Sequence, residues 1–528
     1  MLTSTSFPTP SRRSLSMTST ASTYLDAVVH RSTRRMDPDG FRINWRDAPR
    51  KGKFFPGVED LSLDRIVPPD DGDITAFGLG SLSQMLKDTY AEGNRRLAIH
   101  CNSDVDDLPR YGTSSHARGT ASGGARYPVS IYLVAGPGSG LTPGVYYYNT
   151  YHHSLQRLLV GDQTGRVAAA LGHDTVANQY LVLGIKYWQN SFKYHNFCFH
   201  AVSMDIGTVT HAWREWAAER GMRLVPHLWF DEADLAAMLS VEGDQEGIFA
   251  VVPLGAAISR PAPWSGDSQT FGREIERSRT TRTFPMVVDM QAATAEGGRA
   301  RPTAGALQQA AAPTQPAGDF FPLEKAEAPA CGFREALVRR RSSFGRFVSQ
   351  PMRQASLAAL LEAGLSGGSY PCDASQAMPM SVMQLYVFVN HVEGIPPGSY
   401  LYDSRRRGLI RVDGRAPGEF LQKHYALENY NVEQAGAVIV PAVRGHAVID
   451  AVGDRGYRLT SAAVGAATQA VYLAAATLAG VGCGAALGFD NAAYIDRLGL
   501  ASNGVVPLIM IMVGAERAAR ANFRSEIL

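Results

Sequence analysis

The sequence predicts an α+β fold built twice along one chain, and three observations carry that prediction. The stretch Lys193-Tyr194-His195-Asn196-Phe197-Cys198-Phe199-His200, which runs on through Gly207 to Trp213, returns in outline as Ala451-Val452-Gly453-Asp454-Arg455-Gly456-Tyr457-Arg458, running on to Gly465. Each copy sets an aromatic before a small-residue helix and later reaches a Phe-Asp pair, Phe230-Asp231 or Phe489-Asp490. Each then ends on a strand and a glycine, Ile248 to Gly255 in one and Val505 to Gly514 in the other. Upstream, Leu141-Thr-Pro143-Gly144-Val-Tyr146-Tyr-Tyr148 pairs with Ile395-Pro-Pro397-Gly398-Ser-Tyr400-Leu-Tyr402. Ordered similarity at this spacing is a tandem duplication.

Length and composition agree, because 528 residues exceed one ordinary core and suit two domains of roughly 200 residues with linkers. Apolar content of 45% is that of a soluble globular protein. The net charge of +2 is spread along the chain, so no basic stripe tracks a phosphate backbone and nucleic acid is not implied. The five cysteines (Cys101, Cys198, Cys331, Cys372, Cys483) are odd in number, scattered and never C-x-x-C. Neither a disulfide framework nor a metal site is expected, and a reducing, cytoplasmic compartment fits.

Residues 1–23 are Ser/Thr-rich without a continuous apolar core, so they read as a disordered tail, or as sequence ahead of a start at Met17, rather than a secretory signal. Residues 24–75 are polar and aromatic and read as a wrapping arm. The first domain spans 76–256, with an amphipathic helix starting at Leu82 and a strand at Val129 to Val134. That strand feeds Gly136-Pro-Gly138-Ser-Gly140, which reads as a hairpin turn and not a dinucleotide loop, because an alternating Tyr strand comes next instead of a helix. Residues 257–330 form the linker, and Gln291 to Gly318 is Ala/Gly/Pro/Gln-rich with too few large apolar residues to offset ordering. The second domain spans 331–528, with helices over Phe333 to Arg341 and Leu357 to Ala363 and a strand over Met383 to Val389.

Leu459 to Phe489 holds no charged residue and could span a membrane by length. Its counterpart carries Asp205, His211, Arg214 and Glu215, and the run is broken by Gly480, Gly482, Gly484 and Gly488. A buried helix packed on the sister domain through small residues accounts for both copies, with no membrane.

Several motifs together resemble the flavin-dependent nitroreductase superfamily, and within it the SagB-type azoline dehydrogenases that form thiazoles and oxazoles in ribosomally made peptides. The tandem arrangement is similar to the dehydrogenases of thiopeptide biosynthesis. The arm meets the family's leading pattern at Tyr24, His30, Thr33, Trp45, Pro49 and Lys53. Arg118-Gly-Thr120-Ala-Ser122-Gly123-Gly124-Ala-Arg-Tyr127-Pro128 resembles R-x-x-P-S-A-G-A-x-Y-P, and the Lys193 stretch resembles K-Y-G-E-R-G-Y-R without its arginines. Arg340-Arg341-Ser342-Ser343-Phe-Gly-Arg346 resembles R-R-S-x-R. The resemblance implies two nitroreductase-like domains, each a mixed or antiparallel sheet flanked by helices, joined as an intramolecular pseudo-dimer.

It also implies the chemistry. Flavin mononucleotide (FMN) presents a phosphate dianion, which arginine answers with a planar fork of donors, and a ring edge that takes hydrogen bonds. Expected cofactor-binding residues are Arg340, Arg341, Ser342, Ser343, Arg346, Ser122, Gly123, Gly124, Gly488 and Phe489, with no metal. Azoline oxidation removes a proton and a hydride, so a base is needed, and Lys193 and Tyr194 are the expected catalytic pair. The first copy keeps Ser-Gly-Gly and Lys-Tyr but no arginine motif, while the second keeps the arginines and reads Ala451-Val452. Complementary losses imply one complete site per chain. A precursor peptide is the expected substrate and a cyclodehydratase complex a candidate partner. An NAD(P)H-dependent nitro- or ene-reductase and an inactive scaffold for partner enzymes are the competing readings.

Overall fold

Strand Val129-Ser-Ile-Tyr-Leu-Val-Ala135 is buried at every position, as a central strand must be when both faces of its sheet are covered. In the computed structural model, which describes residues 19–66, 77–98, 113–173, 176–258, 272–311, 316–377, 382–517 and 523–526, this strand is one of a repeated set. Arm and first copy contain α1 (Thr20–Val29), β1 (Asp60–Ser62), α2 (Leu79–Thr89), β2 (Asn94–Ala98), β3 (Thr113–Ala117), β4 (Val129–Ala135), β5 (Gly144–Asn149), β6 (Ser154–Val160), α3 (Thr164–Ala170), β7 (Val176–Lys186), α4 (Trp188–Tyr194), α5 (Cys198–Ala218), α6 (Glu232–Leu239) and β8 (Glu246–Ile258). The remainder contains α7 (Pro285–Glu296), β9 (Phe320–Pro322), α8 (Phe333–Arg339), α9 (Gln354–Gly368), β10 (Met383–Val389), β11 (Gly398–Asp403), β12 (Gly408–Asp413), α10 (Gly418–Lys423), β13 (Ala437–Val443), α11 (Gly445–Val452), α12 (Gly456–Thr477), β14 (Val481–Ala486), α13 (Asn491–Leu498), β15 (Val506–Pro507), β16 (Met510–Ala515) and β17 (Phe523–Glu526).

The two main sheets are antiparallel and share one strand order. One runs β1-β6-β5-β4-β7-β8 and the other β14-β16-β13-β10-β11-β12-β9, with β15 also on β13. Superposing the orders matches β6-β5-β4-β7-β8 to β12-β11-β10-β13-β16, and each sheet takes an extra edge strand from outside its own copy, β1 from the arm and β9 from the linker. The loop Gly136 to Gly140 joins β4 to β5 as a hairpin, with Gly138 and Gly140 at φ 80°. The repeated Phe-Asp pairs are helix caps: Asp231 accepts from the Asp234 N–H at 3.3 Å and Asp490 from the Ala493 N–H at 3.2 Å, closing the N-termini of α6 and α13.

The copies meet through α5 and α12. Their backbones touch at Gly207 and Gly465, where an added Cβ would stand 1.9 Å from the carbonyl oxygens of Ala462 and Met204. α12 passes the length and hydropathy test for a membrane span, yet 89% of its most apolar window is buried. Packing against α5 and α9 explains its apolarity.

Two expectations need correction. The linker is ordered from 272 to 311: α7 buries Val287, Met290, Gln291 and Thr294. Polar partners make up for its few apolar residues, because Gln291 donates to Glu232 at 2.7 Å and accepts from Tyr187 at 2.5 Å and Arg458 at 2.8 Å. Glu232 also binds Arg455 and Arg458, both at 2.9 Å, so the arginines kept from the second copy's repeat are spent as a buried cross-copy clamp. Burial alone would raise Glu232, and the guanidiniums of Arg458 and Arg455 overcome it, holding the carboxylate below its ordinary range. The expected tail is also shorter, since α1 begins at Thr20 with Ser19 capping the Ser22 N–H at 3.1 Å. Residues 1–18 and 312–315, and Cys101, lie outside the described residues.

Candidate functional site

A cavity of about 1090 Å³ lies between the two copies. From the first copy it takes the loop after β3, the end of α4 and one face of α5. From the second it takes the residues after α8, part of α12 and the turn between β14 and α13.

The loop is fixed from both copies. Arg340 donates to the carbonyls of Gly119 and Arg118, each at 3.0 Å. Gln469 of α12 donates to Gly119 O at 3.0 Å and accepts from Ala121 N at 2.9 Å. Ser122 Oγ donates to Asp205 Oδ2 at 2.6 Å, and the Gly123 N–H donates to Asp205 Oδ1 at 3.0 Å. Burial pushes the Asp205 carboxyl up to about 7, against the pull of those two hydrogen bonds. Gly124 sits at φ 61°, and a Cβ there would lie 2.2 Å from the Tyr194 hydroxyl oxygen. Only glycine accepts that backbone and that neighbour without strain.

Lys193 and Tyr194 close α4 and border the cavity, half-buried. The Lys193 amine nitrogen lies 5.7 Å from the ring centroid of Trp45 and 5.2 Å from that of Tyr194. His195 follows at φ 38° and its Nδ1 is 2.9 Å from Asp37 of the arm.

The second copy supplies the cations. Arg341 pairs with Glu516, and Arg346 lies 3.7 Å from the same carboxylate. Ser342 Oγ shares a 3.0 Å hydrogen bond with Tyr472 OH, which accepts from Ala485 N at 2.8 Å. Ser343 is not brought to the cavity: it is fully buried, donating to Glu516 at 2.5 Å and accepting from Cys483 N at 3.2 Å. Gly488 and Phe489 border the cavity on a turn held by the arm. There Arg31 donates to Phe489 O at 2.8 Å and also binds Leu487 O and Asn491. So Arg341, Ser342, Arg346, Gly488 and Phe489 face Ser122, Gly123, Gly124, Lys193 and Tyr194 across one space, while Arg340 and Ser343 build its walls.

On the other side of the α5–α12 crossing the pseudo-equivalent residues make contacts of their own. Thr468 borders the cavity, but its counterpart Thr210 is bonded at 2.9 Å to the buried Tyr370 hydroxyl. Asp373 accepts from Leu228 N at 2.8 Å and Trp229 N at 3.1 Å, and Arg455 packs 4.6 Å from the Phe230 centroid. Sequence reasoning missed Arg31, Lys51, Asp205 and Glu516. Asp205 carried a signal, being a charge in a helix otherwise rich in small residues; the others are surface-type residues whose partners lie far along the chain.

The donor set fits a phosphate dianion on a flat ring: Arg341 and Arg346 are grouped about Glu516, and Gly123, Gly124 and Ser342 are among the other residues that line the cavity. The volume is at the upper end of the roughly 300–1,000 Å³ typical of ligand pockets, which leaves room for a substrate beside a cofactor.

Comparison with known proteins adds three findings. The nitroreductase family pattern matches residues 337–515. A 64-residue stretch is 42% identical to the trifolitoxin-processing protein TfxB of Rhizobium leguminosarum bv. trifolii, 12% of this chain and 17% of that relative's length. Among solved structures, a protein from Anabaena variabilis described as a nitroreductase superposes with TM-score 0.70 at 18% identity, over 95% of this chain and all of that one.

Proposed function

We propose that this chain, which has the nitroreductase fold and carries a nitroreductase family domain over residues 337–515, is an FMN-dependent dehydrogenase that oxidises thiazoline or oxazoline rings to azoles in a ribosomally made peptide. One observation carries the reading: complementary motif halves from the two copies line one cavity, whereas Thr210, the counterpart of the lining Thr468, is bonded to the buried Tyr370 hydroxyl. The family generally binds flavin, and the trifolitoxin-processing relative supports a peptide substrate. A multi-enzyme assembly with a cyclodehydratase is part of the proposal.

Arg341 and Arg346 would hold the phosphate, exchanging part of their pairing with Glu516 for charge-assisted bonds to the dianion. Gly123 and Gly124 let backbone approach a ring face, and Ser342 offers a hydroxyl to its edge. Bound there, flavin supplies a two-electron acceptor for the hydride leaving the substrate ring carbon. Lys193 and Tyr194 face that space as an amine and a hydroxyl, placed to orient the substrate ring and assist the accompanying proton transfer.

The test is the visible spectrum of the purified protein with flavin quantified per chain, followed by incubation with an azoline-containing peptide. One flavin per chain and loss of two hydrogens per ring by mass spectrometry are expected. Two flavins per chain would sink the single-site assignment, and none after reconstitution would favour a scaffold. Rapid flavin reduction by NADPH without azole formation would favour a reductase.

A further inference from the structure

Lys51 borders the same cavity from the arm. Its backbone is pinned by the two arginines that bracket the glycine loop: Arg118 donates to Lys51 O at 3.4 Å, and Arg126 donates to Pro49 O at 3.2 Å. The Lys51 N–H also donates to the Tyr151 hydroxyl at 3.2 Å. The side chain therefore projects beside two guanidiniums.

Those guanidiniums are not equally compensated. Arg118 is paired with Glu92 at 2.9 Å, a carboxylate that also holds His116. Arg126 has only neutral partners among the described residues, the Gln189 carbonyl at 3.0 Å and the face of Phe192 at 4.4 Å, besides Pro49 O. The Lys51 amine itself has no hydrogen-bond or ion-pair partner among the described residues. An ammonium in that place, half-buried, is partly desolvated and faces like charge, and both effects favour the neutral amine. Burial first, then Arg126 and Arg118, bring the group down to about 8, opposed by Glu92.

We propose that Lys51 is a further catalytic residue, the amine that accepts the proton lost from the substrate ring carbon, with Lys193 and Tyr194 bordering the same space. The assignment rests on the dehydrogenase reading of the cavity. In the step, one ring C–H bond breaks with its proton going to the Lys51 nitrogen. Its electron pair becomes the new ring double bond as the neighbouring carbon gives up hydride to the oxidised flavin. The substrate loses two electrons, the flavin gains them, and the Lys51 ammonium returns its proton to water.

Two measurements on the full chain test this. Trace acetylation across the neutral to alkaline range, read by mass spectrometry at the Lys51 peptide, should show reactivity rising with a midpoint near the value of about 8 that the site imposes, well below the ~10.4 of an ordinary lysine. Titration together with the other lysines would overturn the proposal. This readout needs neither flavin nor substrate, so it decides on Lys51 even if azole formation is never observed. In turnover, Lys51→Met and Lys51→Arg should both keep flavin and lose about 10²–10⁴-fold in rate, because a guanidinium keeps its proton. Added small primary amines should partly restore Lys51→Ala. Wild-type rate in Lys51→Arg would show that the site needs only a positive charge there, and would overturn the assignment.

Discussion

Gly207 and Gly465 occupy equivalent places in the two copies and touch reciprocally: a Cβ on Gly207 would meet the Ala462 carbonyl, a Cβ on Gly465 the Met204 carbonyl, each at 1.9 Å. Gly207 to Gly465 and Met204 to Ala462 are the same step along the chain, so the contact maps onto itself under exchange of the copies. Such self-complementarity is the mark of an isologous interface, here closed within one polypeptide. Its two pseudo-equivalent sides differ: Thr468 borders the cavity, and its counterpart Thr210 is bonded to Tyr370.

Replacing either glycine by alanine should force the two helix backbones apart. Overpacking of this kind costs about 1–3 kcal/mol, occasionally more. Gly207→Ala and Gly465→Ala should lower the denaturation midpoint by similar amounts. A loss in only one of them would show that the crossing is not symmetric in energy.

Arg341→Ala and Arg346→Ala should weaken FMN binding, followed by fluorescence titration of the apoprotein, while the fold is kept. Loss of one charge-assisted hydrogen bond costs roughly 1.5–3 kcal/mol, or about ten- to a hundredfold in affinity. Unchanged retention in both variants would mean that the phosphate lies elsewhere.

Lys193→Ala and Tyr194→Phe should stay yellow and oxidise azolines about 10²–10⁴-fold more slowly. Gly124→Ala should resemble Tyr194→Phe, because its methyl would displace the Tyr194 hydroxyl, 2.2 Å from the added Cβ. Substitution of Ala451 or Val452 should do little. Full rates in the flavin-loaded Lys193 and Tyr194 variants would return both residues to a packing role.

Asp205 is raised by burial to about 7 from an ordinary carboxyl value of 3.8. The folded state therefore holds a proton that the unfolded chain releases, and this contribution to stability is full below the unfolded value and lost as pH rises through about 7. Asp205→Asn, which cannot ionise, should gain stability relative to wild type as pH is raised through that window. Parallel stability curves for the two proteins across that window would show that Asp205 is not held protonated.

The duplication was legible because it is a pattern of residue types at fixed order, and Phe230-Asp231 and Phe489-Asp490 proved to be the same helix cap twice. Gly136 to Gly140 was legible as a turn because a tyrosine-rich strand, Gly144 to Asn149, comes after it where a dinucleotide loop would open a helix. The linker was misjudged for a reason that composition cannot reveal: Gln291 and Thr294 are ordered by Arg455, Arg458 and Glu232, whose partnership spans both copies.

The sequence alone determined that this protein has two related halves, that each half lost a different part of a motif set, and that its charge-free stretch 459–489 faces protein, because all three depend on local residue types and their order. Only the tertiary structure decided that the retained parts face one another across one cavity, that Tyr370 bonds Thr210 on the other side, that Arg340 and Ser343 hold the walls, and that Lys51 stands beside two arginines. Those facts depend on contacts between residues distant along the chain, and on the competition among neighbours for the same donors, acceptors and charge, which arises once the backbone has brought them together.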